Sequence, residues 1–325
     1  MTVQRVAIVV AVLALIALPY AIKEVYYVNI ASQILLYAIF ALGINVLVGY
    51  AGLVSLGHAG LFGVASYVVA YLLAAGHSHT IAILAALAVG LITTAGFAAL
   101  SLRAIGISFI MITLALGEIL WGLAYRWISL TNGDNGISVA SRPAPFGLSL
   151  ASARGFYGAT LVIFLVAMAA TAIFVRSPFG AALCGTRDQP RRMNALGYHV
   201  WMIRFWAFMF SGLLTALAGI LFVYYNKFIS PQALALTASA EGLLMVISGG
   251  AGSLLGPVVG AALVVIVKNV VSAYVVRWNF MLGAIFVAIV ILMPEGLVPG
   301  AARLARGAWR AGRPAKPAAA AEPAS

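Results

Sequence analysis

Long runs of apolar residues, separated by short polar or glycine-rich segments, fill most of the chain. Apolar and polar positions do not alternate within these runs, so the runs predict helices rather than strands. A bilayer crossing needs about 20 apolar residues, so the run at 237–249 is predicted to be a half-helix or re-entrant segment. The candidate spans number about ten and lie near residues 6–22, 29–48, 57–75, 80–101, 105–126, 156–175, 204–224, 237–249, 253–273 and 279–293.

The composition indicates that most of this chain lies within a lipid bilayer. Hydrophobic residues make up 64% and charged residues 8% of the sequence, whereas an ordinary soluble domain has about 25% charged residues. Backbone groups in hydrocarbon must be satisfied within the spanning structure, which leaves helices or closed barrels. The predicted fold is therefore all-α, a polytopic membrane helical bundle with about eight to ten transmembrane helices.

The distribution of lysine and arginine predicts the orientation. With the N-terminus inside, about 12 of the 19 basic residues lie on the inner side, concentrated at 176–204 and 303–316. The positive-inside rule then places both termini in the cytoplasm. The first run has no convincing cleavage site and precedes further spans, so it is predicted to remain as a helix. We expect residues 1–300 to form the transmembrane domain and residues 301–325 a disordered, basic, Pro/Ala-rich tail.

Several kinds of function are not indicated. The chain has a net charge of +12. Its basic residues lie between the spans and are not interleaved with aromatic residues, so a nucleic-acid partner is not predicted. His58 has no His-x-x-x-His or cysteine partner at metal-ligand spacing, and the chain lacks the G-x-x-x-x-G-K-[ST] phosphate loop. We therefore expect no metal site and no cofactor on this chain. No catalytic constellation is recognisable, so the chain is not predicted to be an enzyme.

Two loops interrupt the pattern, an outer loop at 127–155 and an inner loop at 176–203. In the inner loop, Ser177 before a proline predicts the N-cap of a short helix that ends near Gly185. Asp188 is predicted to cap a second short helix, with Pro190 in its first turn and Gly197 as its stop signal.

The second short helix carries the adjacent cations Arg191 and Arg192. A basic loop held at anionic lipid headgroups would also explain them. Two preorganised helices are more structure than such an anchor needs, which favours a protein partner.

The stretch GYAGLVSLGHAGLFG at 49–63 holds five glycines, although each costs about 1 kcal/mol relative to alanine in a helix interior. Gly60 and Gly63 are predicted to let helices approach closely. Gly49, Gly52 and Gly57 are predicted to interrupt the helix between the second and third spans.

A second glycine-rich interruption, SGGAGSLLGP at 248–257, contains Gly249 and Gly250. Paired interruptions in the two halves of a transporter point to its pathway, so the glycines are predicted to lie beside a translocation path.

Three ionisable residues are candidates for this path. His58 is predicted to be structural, bonded to a freed backbone carbonyl, since no acidic residue lies nearby in sequence. Glu118 lies within a predicted span, where an ionisable group is a functional hypothesis. It could meet a substrate ammonium group or pair with an arginine of another helix. Glu241 is interpreted as a first-turn acid favoured by the helix dipole.

The inner loop resembles the coupling loop of LivM-type permease subunits of branched-chain amino acid ABC importers, the LivH/LivM permease family. The family pattern R-x-N-P-R-R-x-x-x-L-G-Y is matched from Arg187 to Tyr198, including Leu196, with Gln189 in place of the asparagine. Similar motifs follow in the family's order: SLGHA from Ser55, TLALGEIL from Thr113, TNGDNG with Asn132 in place of a glycine, GLLMVISGGAGSLLGPVVGAAL and MPEGL.

The resemblance implies a multi-pass permease of the bacterial inner membrane that imports branched-chain or related hydrophobic amino acids. It implies as partners a second, LivH-type permease, two cytoplasmic ATPase subunits that hold ATP and Mg, and a periplasmic substrate-binding protein. From the two interruptions, the ionisable residues and these motifs, the candidate pathway residues are Gly52, Ser55, Gly57, His58, Thr113, Glu118, Glu241, Gly249 and Gly250. The implied ATPase-coupling residues are Arg187, Asp188, Pro190, Arg191, Arg192, Leu196 and Gly197.

Two alternatives remain open. The cargo could be urea or a short amide, carried by the same kind of permease. An ion-coupled secondary transporter would need carboxylates near the midplane, where Glu118 is the one candidate in the sequence.

Overall fold

The computed structural model describes residues 15, 17–19, 24–139, 152–274, 278–293, 295–300 and 303. Most of the predicted first span, the middle of the predicted outer loop and nearly all of the predicted tail lie outside these residues. The described helices are α1 Val25–Asn45, α2 His58–Ala74, α3 His79–Ser101, α4 Ile107–Arg126, α5 Ile128–Thr131, α6 Ala153–Arg176, α7 Pro178–Asp188, α8 Pro190–Ala195, α9 Val200–Asn226, α10 Leu236–Gly249, α11 Gly256–Tyr274 and α12 Trp278–Leu292.

The helices follow the predicted spans closely, which confirms the helical membrane bundle. Among the described residues, five helices are long and apolar enough to cross a membrane: α1 with its extension to Ala51, α3, α4, α6 and α9. The predicted short eighth segment is α10, whose 14 residues extend about 21 Å at 1.5 Å per residue. That length is short of the roughly 30 Å hydrocarbon core.

The first helix of this bundle, α1, lies at its centre. It packs against α6, α9 and α11, while α2 packs against α3 and α9. Leu36, Ile39 and Leu42 of α1 are completely buried. By contrast, α3 and α6 expose large apolar side chains, such as Ile92 and Val166. Apolar side chains are stable on an outer surface that faces lipid, so these helices form the periphery.

A short antiparallel pairing closes one end of the bundle. Strand β1, Ile137–Ser138, pairs with β2, Phe228–Ile229. A 3-10 turn, Pro231–Leu234, follows β2 and leads into α10. This is the end predicted to face outward.

The inner loop forms two short helices as predicted, with one boundary and one cap different. Ser177 caps α7 by accepting a hydrogen bond from the Gly180 amide at 3.3 Å. However, α7 continues through Asp188 instead of ending near Gly185. The prediction that Asp188 caps the next helix is wrong, because Gln189 is the N-cap residue and its side chain makes no capping bond.

Candidate functional site

The first glycine-rich stretch interrupts the helix, as predicted. After Asn45 the chain continues as a π-helical turn, Val46–Ala51, that contains Gly49. Gly52 then takes a left-handed conformation with φ of 69°, which glycine adopts without steric cost. Irregular backbone follows until α2 begins at His58. The interruption therefore lies between Gly52 and Gly57, and Gly49 is part of the preceding wide turn.

Gly60 and Gly63 pack closely against neighbouring segments, which confirms their predicted role. A Cβ atom at Gly60 would lie 3.1 Å from Leu120 Cδ1, and one at Gly63 would overlap the side chain of Leu234.

The second interruption separates α10 from α11 and is also confirmed. Helix α10 ends at Gly249, and α11 begins at Gly256. Ser253 stabilises the connection by donating to the Gly250 carbonyl at 2.8 Å and accepting from the Gly256 amide at 3.0 Å. The MPEGL segment packs here as well, since a Cβ at Gly296 would overlap the backbone of Gly250.

Asn45 joins the two interruptions to each other. Its Nδ2 donates to the Ser253 carbonyl at 2.9 Å, and its Oδ1 accepts from the Gly252 amide at 2.9 Å. The side chain is completely buried. A Cβ at Gly49 would overlap the backbone of Gly252, so the two backbones are also in direct contact. Sequence analysis missed Asn45, although a lone amide in an apolar run beside a glycine break is a usable signal.

Arg187 connects the inner loop to the first interruption. Its Nη1 donates to the Gly49 carbonyl at 2.7 Å, and its Nε donates to Asp188 Oδ1 at 2.8 Å. The aliphatic part of the side chain covers Gly52. The hydrogen bond that Arg187 donates to the Asp188 carboxylate raises the pKa of the guanidinium above its already high ordinary value, so Arg187 stays charged at any physiological pH.

Helix α4 supports the irregular segment from one side. Thr113 Oγ1 accepts a hydrogen bond from the Leu56 amide at 3.3 Å, and a Cβ at Gly57 would overlap the Thr113 carbonyl. Within the segment, buried Ser55 accepts from the Gly57 amide at 3.4 Å. The structure therefore brings Ser55, Gly57 and Thr113 together.

Helix α10 supports the same segment through Ser239, which sequence analysis did not single out. Its Oγ accepts a hydrogen bond from the Ala59 amide at 2.9 Å. This amide lies in the first turn of α2, where backbone donors lack partners within the helix. A residue of the second half of the chain thus caps the helix that follows the first interruption.

His58 is buried and bonded, but not to the carbonyl that was predicted. Its Nε2 lies 2.9 Å from Ser211 Oγ, which donates to the Gly43 carbonyl at 2.6 Å. The partner is therefore a hydroxyl that bridges to a carbonyl. These bonds join α1, α2 and α9, which agrees with a structural histidine.

Glu118 lies on α4 next to buried Gly117 and is itself partly exposed. The ion pairs among the described residues are Arg187–Asp188, Lys268–Glu241 and Arg303–Glu295, and Glu118 takes part in none of them. The described part of the chain thus supplies no structural arginine for Glu118. Glu118 takes no part in the hydrogen bonds that join the two interruptions, although its neighbour Gly117 packs against Gly57.

The interpretation of Glu241 as a first-turn acid is wrong. The first turn of α10 contains no acidic residue, and Glu241 instead pairs with Lys268 of α11 at 3.1 Å. The pair lines a cavity of about 440 Å³ near the end of the bundle that carries β2. Glu241 is therefore also separate from the two interruptions.

The second helix of the inner loop, α8, is exposed. None of its residues is buried, including Pro190, Arg191 and Arg192, and Leu196 just after it is 66% exposed. Gly197 ends the helix with φ of 85°, as predicted. In contrast, α7 is fixed to the bundle by buried Leu183.

The chain matches a model of the family described as branched-chain amino acid transport system / permease component over residues 26–291. It is 32% identical to the high-affinity branched-chain amino acid transport system permease protein LivM of Escherichia coli K12, with 92% of this chain and 76% of the relative covered. It is 30% identical to the LivM protein of Salmonella typhimurium, with 84% and 70% covered.

The autoinducer 2 import system permease protein LsrC of Escherichia coli SMS-3-5 is 31% identical, with 70% of this chain and 68% of the relative covered. No solved structure matches the chain. The match spans nearly all described helices. The chain belongs to the family of branched-chain amino acid transport system permease components.

Proposed function

We propose that this chain is a pore-forming permease subunit of an ATP-driven importer for branched-chain or related hydrophobic amino acids. Its family and its apolar helices make it a multi-pass protein of the inner membrane. The observation that carries the proposal is the contact of Arg187 with Gly49. This contact joins the inner loop, which would bind an ATPase subunit, to the interrupted backbone, which can change its conformation.

The energy source is proposed to be a pair of separate ATPase subunits. The chain itself has no phosphate-binding loop, so it depends on partners for ATP and Mg. The exposed α8 offers Arg191 and Arg192 beside exposed apolar side chains, Leu196 and Tyr198. Two preorganised helices are more structure than an electrostatic anchor at lipid headgroups needs, which favours a protein surface as the partner. A second, LivH-type permease and a periplasmic binding protein would complete the assembly.

The substrate path is proposed to run along the face of α4 that carries Glu118. On this face, Met111 and Tyr125 lie seven positions before and after Glu118 and are 61% and 45% exposed. A carboxylate facing lipid would be costly, so Glu118 should face the second permease or a water-filled path. It lies about 17 Å along the helix from Ile107 at 1.5 Å per residue, inside the bilayer.

The substrate itself is tested by uptake. LsrC, a relative of similar identity, is named for autoinducer 2 import, and urea or a short amide is a further alternative. The transporter is reconstituted with its ATPases and binding protein, and ATP-dependent uptake of leucine, isoleucine, valine, urea and autoinducer 2 is measured. We expect uptake of the branched-chain amino acids. Uptake without ATP, driven by an ion gradient, would contradict the proposal.

Reversing the charges of α8 is expected to release the ATPases. Arg191→Glu with Arg192→Glu should leave the permease in the membrane, because the flanking helices carry their own hydrophobicity. Losing charged contacts at an interface accelerates dissociation, so co-purification of the ATPases and uptake should both fall at least about ten-fold. Arg103→Glu, an exposed cation at the α3–α4 turn, is the control. Normal ATPase recovery and uptake in the double variant would show that α8 is a plain surface helix.

Removing the charge of Glu118 is expected to slow uptake without affecting assembly. Glu118→Gln keeps the size of the side chain and one acceptor oxygen while it removes the negative charge, so the variant tests the need for a carboxylate. We expect uptake to fall about five-fold or more, with normal ATPase co-purification. If Glu118→Gln transports normally while Glu118→Ala fails to assemble, the residue is structural.

A further inference from the structure

A cavity of about 440 Å³ lies between α1, α9, α10 and the segment that contains β2. Aromatic side chains, Tyr37, Phe222 and Phe228, form part of its wall. The first turn of α10 contributes Thr237, and Glu241 and Lys268 complete the lining. Small-molecule pockets have volumes of about 300–1,000 Å³, so this one can hold a single amino acid with some water.

The ion pair in this wall is accessible from the cavity. Lys268 Nζ donates to both carboxylate oxygens of Glu241, at 3.1 and 3.3 Å. The two side chains keep 34% and 22% of their surface exposed, so neither is sealed inside the protein. Ionisable residues in membrane-spanning segments are rare and usually functional.

We infer that this cavity binds the zwitterionic head group of an amino acid, with Lys268 receiving its carboxylate and Glu241 its ammonium group. The inference rests on the proposed function, because it takes its ligand class from the proposed cargo. A zwitterion can enter the ion pair and give each of the two partly buried charges a new partner. A ligand with one charge would compensate only one member of the pair, which is less favourable.

The N-terminus of α10 favours the same orientation. The helix begins at Leu236, without an acidic residue in its first turn and without a side-chain cap. Its partial positive charge is therefore available to a carboxylate. The T-shaped pair of Tyr37 and Phe222, with ring centroids 6.5 Å apart, offers an apolar surface to the substrate side chain.

The site can be tested by protecting a cysteine from labelling. The chain has one native cysteine, Cys184, so Cys184→Ser gives a background for Thr237→Cys in the cavity wall. Ala75→Cys, which is exposed at the α2–α3 turn, is the matched control. The reconstituted transporter, without the binding protein, is treated with a water-soluble maleimide with and without L-leucine in excess.

We expect L-leucine to slow the labelling of Thr237→Cys at least five-fold and to leave Ala75→Cys unchanged. Leucinol, which lacks the carboxylate, and 4-methylpentanoate, which lacks the ammonium group, should protect less than two-fold. This comparison uses intact Glu241 and Lys268, so it does not depend on the folding of a charge variant. Adding Lys268→Met or Glu241→Gln should then remove the protection by L-leucine.

Equal protection by leucine, leucinol and 4-methylpentanoate would overturn the assignment of the ion pair. Absence of protection by leucine would overturn the site, whatever the uptake assay shows. The proposed function fails separately, if the complete transporter does not import branched-chain amino acids. If the ion pair is purely structural, L-leucine will not protect Thr237→Cys while Glu241 and Lys268 are unaltered. Lys268→Met will then lower the unfolding temperature.

Discussion

Replacing Gly249 or Gly260 with alanine is expected to prevent stable packing of α10 against α11. A Cβ at Gly249 would overlap the Gly256 carbonyl, and one at Gly260 would overlap the Met245 carbonyl. Both obstacles are backbone atoms, which cannot move aside as a side chain can. Overpacking of a core usually costs about 1–3 kcal/mol, and we expect each of these changes to reach or exceed the upper end. Thermal unfolding of the detergent-purified protein, with its yield of monodisperse protein, measures the loss.

Alanine substitutions at two glycines without close neighbours serve as the control. Among the described residues, a Cβ at Gly96 or Gly122 would have no heavy atom within 4 Å. Alanine is favoured over glycine in a helix by about 1 kcal/mol, so Gly96→Ala and Gly122→Ala should be neutral or slightly stabilising. If Gly249→Ala and Gly260→Ala unfold at the same temperature as these two variants, the close α10–α11 contact is not formed.

Replacing Asn45 with leucine is expected to destabilise the protein and to reduce transport. Leucine has a similar shape but leaves the Gly252 amide and the Ser253 carbonyl without their bonds to Asn45. A fully buried unsatisfied group costs about 1–3 kcal/mol, and these two groups are only partly buried, so a total loss of about 1–3 kcal/mol is expected. Uptake should fall more than stability alone explains, because Asn45 joins the two interruptions to one another.

Asn226→Leu is a suitable stability control for this change. Asn226 is exposed at the end of α9, and its side chain donates a hydrogen bond to the Phe222 carbonyl one turn earlier in the same helix. Removing it should change the unfolding temperature little. An unfolding temperature of Asn45→Leu that equals that of Asn226→Leu would contradict the bridging role of Asn45.

The contacts of Arg187 and Asn45 together suggest how the inner loop can act on the rest of the protein. Arg187 bonds to the carbonyl of Gly49, and the backbone at Gly49 contacts Gly252. Displacement of α7 would therefore press on the first interruption and, through it, on the second. This is a contiguous set of contacts of the kind that coupling between distant sites requires.

Predictions from single residues succeeded where the cause is local and failed where it is not. Ser177 caps α7 as predicted, because an N-cap needs only a hydroxyl and the backbone amides that follow. Asp188 fails as a cap because α7 continues through it. The arginine that binds its carboxylate, Arg187, is itself bonded to the Gly49 carbonyl, 138 positions away in the sequence. Glu241 is explained by Lys268, 27 positions away in the sequence, and no local pattern indicates that pairing.

The sequence by itself determined the class of this protein and the order of its elements. Apolar runs in a bilayer have to satisfy their backbone bonds internally, so their length and spacing were enough to predict the helices, the short α10 and both interruptions. Only the tertiary structure decided which groups meet. Asn45 and Ser253 are 208 positions apart in the sequence, and Ala59 and Ser239 are 180 apart. Such partners are selected by how the helices pack in three dimensions, which the periodicity of any one segment does not specify.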